Sequence, residues 1–223
     1  MSQLTAFEHD SHPSEQFQDA QQQHRAALLG MWTFLATEVL FFGVLFTGFY
    51  VYRTRWPHGF AASARDLMWY LGGINTAILL GSSYTMALAV HAASEGNNRH
   101  LLHRLLLTLA LGTVFLGVKF TEYDIEYHEH LLPGPNYSDV SPDGQPRPPE
   151  QALFMTFYFV MTGFHALHMV IGLGMLGVLA ILARRGTFTQ SYHTPIELAG
   201  LYWHFVDMVW VFLFPTLYLL RHP

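Results

Sequence analysis

Residues 152–183 read ALFMTFYFVMTGFHALHMVIGLGMLGVLAILA, 32 residues without one Asp, Glu, Lys or Arg. A bilayer core takes roughly 20 apolar residues in helical form, so this run can cross a membrane at a tilt or project beyond it. Four further stretches share its character, at about Ala26 to Tyr52, Leu67 to Val90, Leu101 to Phe120 and Leu198 to Leu220. The fold class expected is therefore all-α, a membrane helix bundle with five transmembrane helices. Glycine recurs in these stretches (Gly72, Gly73, Gly81, Gly172, Gly174, Gly177), which permits close helix approach. Gly174 and Gly177 lack a GxxxG spacing and read only as small-residue packing.

The composition agrees. Of 223 residues, 51% are hydrophobic and only 12% charged, where a soluble domain carries about 25%. Mean hydropathy is +0.23. There is no Cys, and the 14 His outnumber the 11 Lys and Arg together. Zero Cys excludes disulfides, thiolate zinc, Fe–S clusters, covalently attached c-type haem and a Cys-bridged copper pair. A net charge of −5 with scattered Arg argues against a nucleic-acid partner.

Two organisational units follow. Residues 1–25 form a polar N-terminal tail, rich in Gln and His, that is neither a signal peptide nor a globular domain. Residues 26–223 form the five-helix transmembrane bundle, with a long proline-rich loop at 131–151 whose Pro and Gly preclude a helix. Just before that loop, Glu122, Asp124, Glu126 and Glu129 make an acidic run with His128 and His130. Such a run reads as a solvated helix end, as a divalent-cation site through Glu122, Glu126 and His130, or as a surface that attracts a basic partner. Basic residues do not orient the bundle. Arg25, Arg99, Arg104, Arg184 and Arg185 on one side face Arg53, Arg55, Arg65, Lys119, Arg147 and Arg221 on the other.

An ionisable group at membrane depth costs at least ~2.5–3.5 kcal/mol on insertion scales, so each asks for a partner or a purpose. Glu38 lies mid-span beside Phe41 and Phe42. It reads either as a proton-exchanging or ligand-polarising carboxylate, or as an acid hydrogen-bonded to a neighbouring helix. His165 and His168, one turn apart, share a helical face. Two imidazoles so placed do not clamp a planar haem from both sides, and hydrogen bonding to a facing helix is the favoured reading over metal ligation. His204 and Asp207 repeat the spacing and read as a buried His–Asp pair that orients helices. No nucleophile–base pair, phosphate loop or HExxH motif occurs, so neither catalytic residues nor a metal site are expected on this chain.

Five segments then carry a resemblance. Residues 30–42 (GMWTFLATEVLFF), 71–80 (LGGINTAILL) with His91 and 95–100 (EGNNRH), 111–115 (LGTVF) with Glu122 and Tyr123, 162–168 (TGFHALH) and 202–214 (YWHFVDMVWVFLF) resemble, in order, the last five helices of the cytochrome c oxidase subunit III family. The resemblance spans roughly residues 26–220, and its last two motifs are highly specific.

It implies a non-catalytic accessory subunit of a proton-pumping haem-copper terminal oxidase in aerobic respiration. Such a subunit packs against catalytic subunit I, and subunit II, within a hetero-oligomeric membrane complex. It holds phospholipids in a cleft between its helices and supports proton uptake and turnover stability. The chain itself would bind no redox cofactor; haem and copper belong to the catalytic subunit. Glu38 matches the family's carbodiimide-reactive glutamate. Arg184, Arg185 and His193 lie in the loop that supplies lipid-phosphate contacts in relatives. A cytochrome c-type donor near the acidic outer loop is a further implied partner.

The family also implies a bacterial inner-membrane, multi-pass location, with the N-terminus cytoplasmic and the C-terminus periplasmic. The chain is similar to the five-helix bacterial type, also seen in quinol oxidases, whose catalytic subunit carries the two missing helices. Lys119 stands where relatives often have Gln. Two alternatives are the accessory subunit of nitric oxide reductase, which shares the fold, and an independent proton or ion carrier using Glu38, His165, His168 and Asp207.

Overall fold

A computed structural model describes residues 19–220 apart from 135, 136, 139, 141–143 and 145. Most of the expected tail, residues 1–18, and part of the proline-rich loop lie outside the described residues. The elements in chain order are α1 (Ala20–Arg55), α2 (Pro57–Asp66), α3 (Trp69–Ser94), α4 (Asn98–His128), α5 (Pro149–Arg184) and α6 (Thr194–Phe214). A π-helical turn, Pro215–Leu219, extends α6. By length and apolar composition, α1, α3, α4, α5 and α6 with its extension can each cross a membrane. The chain is a multi-pass membrane protein of the all-α class.

Local chemistry sets the ends of the helices. Asp19 caps α1 by accepting from the Gln22 amide, and Asn97 caps α4 by accepting from the His100 amide at 3.1 Å. Gly96 (φ 73°) lets the chain turn sharply from α3 into α4. The ten-residue α2 goes beyond the five expected helices. It starts at Pro57, buries Phe60, Ala61, Ser63 and Ala64, and packs on α5.

Helices α3, α4, α5 and α6 form the packed body, with α1 laid against α5 and α6. The buried apolar positions of α1 are Leu35, Phe42 and Phe49, seven residues apart, so it offers the body one narrow seam. The body turns on two tryptophans of α6. Trp203 and Trp210 are both wholly buried and donate their indole N–H groups to α3, to Ser82 Oγ at 2.9 Å and Thr76 Oγ1 at 3.0 Å. Glycines make room for these rings: a Cβ at Gly172 or Gly112 would stand 2.9 Å from Trp203. Gly72 gives the same access to Phe214. Gly174 and Gly177, expected in packing, face open space, and a Cβ added at either would meet nothing within 4 Å.

Helix α4 runs eight residues past Phe120, where its apolar run was expected to end. Its inward stripe continues through Gly112, Phe115, Lys119, Glu122 and Glu126, at helical spacing. The acidic run is therefore not simply a solvated helix end. Glu122 and Glu126 are buried at 1% and 4% exposure, while Asp124 is exposed. Beyond α4, Arg147 gathers the loop by donating to the carbonyls of Glu129, His130 and Ser138 at 3.0–3.1 Å.

Candidate functional site

Glu38 meets His168. Its Oε2 lies 3.1 Å from His168 Nε2, joining α1 to α5 across 130 residues of chain. His168 Nδ1 lies 2.7 Å from the Phe164 carbonyl oxygen. A carbonyl only accepts, so Nδ1 carries a proton. The Nε2–Oε2 bond then needs one more proton, held either by the carboxyl or by the imidazole. In both states the pair is electrically neutral and shares a single proton. Phe41 stacks edge-on against Phe164 at 5.0 Å, Phe42 lies 5.4 Å from the His168 ring, and Tyr202 donates to the His168 carbonyl at 2.9 Å. Glu38 and His168 thus form a hydrogen-bonded pair between α1 and α5, with aromatic walls.

His165 behaves differently. Both its ring nitrogens are buried without a hydrogen-bond partner, and the ring sits between Phe115 of α4 and Trp210 of α6 at 5.6 and 5.3 Å. The expected hydrogen bond to a facing helix holds for His168 and not for His165, because an aromatic slot fills the space that a polar partner would need.

The expected His204–Asp207 pair is not formed. His204 Nδ1 bonds Ser83 Oγ of α3 at 2.7 Å, while both Asp207 oxygens are buried without a hydrogen-bond partner. One helical turn places both side chains toward the same neighbouring helix, where Ser83 outcompetes the carboxyl for the ring. Ser83→Ala is accordingly expected to cost about 1 kcal/mol, whereas Asp207→Asn leaves the Ser83–His204 bond in place. Thermal unfolding in detergent, followed by helicity, separates the two.

A further cluster escaped the sequence reading. Lys119, 1% exposed, directs its three N–H donors to Glu122 Oε2 at 3.0 Å and to the hydroxyls of Tyr158 and Tyr218, each at 2.7 Å. Tyr218 donates to Glu122 Oε1 at 2.6 Å. Its one proton is thereby committed, so Tyr158 is the donor in the 3.2 Å contact between the two hydroxyls. The ammonium also lies 4.5 Å from the centre of the Tyr158 ring. This knot ties α4, α5 and the π-helical turn at one end of the bundle. A Lys followed three residues later by Glu, at the end of an apolar run, was the available signal.

At the opposite end, Arg184 and Arg185 are exposed where α5 stops. His193 Nε2 lies 3.2 Å from Glu197 Oε1, and His24 Nδ1 lies 3.0 Å from Thr194 Oγ1, so α1 is pinned to the start of α6. Among the described residues, no three His, Asp or Glu side chains converge where a metal ion could be held.

Comparison with known proteins fits this arrangement. Residues 15–129 and 150–221 match the family described as cytochrome c oxidase subunit III, and the match skips most of the loop between α4 and α5. The chain is 34% identical over 202 residues to cytochrome c oxidase subunit 3 of Dasypus novemcinctus, covering 85% of this chain and 67% of that protein. Its counterparts in Aepyceros melampus and Balaenoptera musculus are 35% and 34% identical over the same coverage. With all five spanning helices inside the matched residues but for Pro149 at the start of α5, the chain belongs to the cytochrome c oxidase subunit III family.

Proposed function

We propose that this chain is the non-catalytic accessory subunit of a haem-copper terminal oxidase, packed in the membrane against the subunit that carries the haem and copper. The observation that carries this reading is the family match across all five spanning helices. The chemistry of the bundle supports it, since its polar groups bind one helix to another, as Glu38 does to His168 and Ser83 to His204.

Within that role, Glu38 and His168 act as a neutral proton-sharing pair, and Arg184 and Arg185, with His193, offer cationic contacts to phospholipid headgroups. The starts of α1, α4 and α6 share the end that carries Arg184 and Arg185, and we place that end on the cytoplasmic side of a bacterial inner membrane. A basic electron donor on the outer side would meet Asp124 and Glu129 rather than Glu122 and Glu126, which are buried.

The deciding experiment is affinity purification of the tagged chain from native membranes. A larger haem-containing oxidase subunit is expected in the complex, and deletion of this chain should lower oxygen consumption. Co-purification with no haem protein would overturn the reading. Glu38→Gln retains an amide able to bond His168 Nε2, so assembly should persist while carbodiimide incorporation into this chain falls by more than half. Unchanged incorporation would place the reactive carboxyl elsewhere.

A further inference from the structure

Hydroxyls on the outer faces of the spans are mostly satisfied by their own helix. Thr33 and Thr47 of α1, Thr113 of α4 and Thr156 of α5 each donate to the carbonyl four residues back at 2.8 Å. Such surfaces can face acyl chains without an unmet polar group. The outer face shared by α3 and α6 is different. His204 lies ten residues into α6, about 15 Å from its start at 1.5 Å per residue, and so near the middle of the span. Its Nδ1 is held by Ser83. Its Nε2 has no partner among the described residues and, unlike both nitrogens of His165, is not closed off by the chain.

Beside it on α3, Tyr84 is 67% exposed, and its hydroxyl bonds nothing among the described residues. Leu80 of α3 and Met208 and Phe212 of α6 complete the surface at 55–59% exposure. Lipid tails offer neither donor nor acceptor at this depth, so a half-exposed imidazole there calls for a polar group from protein.

We infer that this α3–α6 face, centred on Ser83 and His204, is where the chain docks on a membrane helix of the catalytic subunit that carries a hydrogen-bonding side chain at mid-membrane depth. The inference rests on the accessory-subunit reading and adds to it which face is used and what the partner must present. Ser83 holds the ring by Nδ1, which fixes its plane and aims Nε2 outward. Met208 and Tyr84 supply apolar and aromatic contact around that bond.

The test uses the assembled complex in native membranes. Benzoylphenylalanine is placed at Met208 and at Tyr84, with Val114 on the outer face of α4 (50% exposed) as comparison. Irradiation should yield covalent adducts with the catalytic subunit from Met208 and Tyr84 and none from Val114. His204→Leu should lower the amount of chain retained on the catalytic subunit after detergent extraction at least tenfold, with helicity unchanged, and His204→Gln should restore most of it.

Adducts from Val114 alone, adducts to a second copy of this chain, or full retention of a folded His204→Leu chain would overturn the docking face. In each of those cases the wild-type chain still co-purifies with the oxidase. Failure of the wild-type chain to co-purify would instead remove the accessory-subunit reading itself.

Discussion

Lys119→Met is expected to destabilise the bundle by about 3–5 kcal/mol, the largest effect of any single polar substitution in this chain. The reason is what remains. Glu122 at 1% exposure would keep its carboxylate in an apolar interior with only the Tyr218 hydroxyl to bond it. Tyr158 would lose the ammonium that bonds its oxygen and faces its ring. Removing both charges is a milder change, because a buried ion pair replaced by apolar groups of similar size is often nearly neutral. Lys119→Met combined with Glu122→Leu should therefore recover most of the loss. Unfolding of the purified complex in detergent, read as a double-mutant cycle, gives the coupling directly. A single-variant cost below about 1 kcal/mol would mean that the knot does not hold α4, α5 and the π-helical turn together.

The second large effect lies at Gly172. Its added Cβ in Gly172→Ala would stand 2.9 Å from Trp203 and 3.1 Å from Tyr202. Trp203 cannot retreat. A Cβ built at Gly112 would likewise stand 2.9 Å from the ring, and the indole N–H is committed to Ser82. Overpacking of this kind costs typically ~1–3 kcal/mol, and the close fit of the ring to two glycine positions places Gly172→Ala at the upper end. Gly174→Ala, two residues along the same helix, has nothing within 4 Å to meet. It should leave the unfolding temperature almost unchanged. Trp203→Phe in the Gly172→Ala background should restore part of the loss by shortening the ring that obstructs the methyl. Equal sensitivity at Gly172 and Gly174 would show that helix propensity, and not the Trp203 slot, governs these positions.

Hydropathy alone located all five spans, because an apolar run near 20 residues has few other uses. It also singled out Glu38 and His168 as groups needing partners, although nothing in a single sequence says that they are each other's. That contact joins residues 130 apart and depends on how α1 leans on α5.

The failures share one cause. Averaged hydropathy reports how polar a segment is and not which way its polar face points. The last two turns of α4 are polar by composition, yet Lys119, Glu122 and Glu126 lie on the inward stripe that begins at Gly112. The i, i+3 spacing of His204 and Asp207 was legible, but it marks a shared direction and not a mutual bond. Ser83 on α3 decides which of the two is satisfied. Likewise the glycines at 172 and 174 look alike in sequence, and only the position of Trp203 separates them. The short α2 was missed because Pro57 and a polar composition concealed its small buried face of Phe60 and Ala64.

The narrow seam of α1 has a consequence for how the protein is made. The ties of α1 to the rest reach far along the chain: Glu38 to His168, Tyr50 to Thr216 and Arg53 to the Leu220 carbonyl, over 130, 166 and 167 residues. At a synthesis rate of about 5–20 residues per second, α1 waits on the order of ten seconds or more before α5 and α6 exist to receive it. For that interval Glu38 stands in the bilayer, or beside the insertion machinery, without His168. A chain truncated before α5 never resolves that state, and its first helix keeps a carboxyl that lacks the imidazole it pairs with in the finished fold.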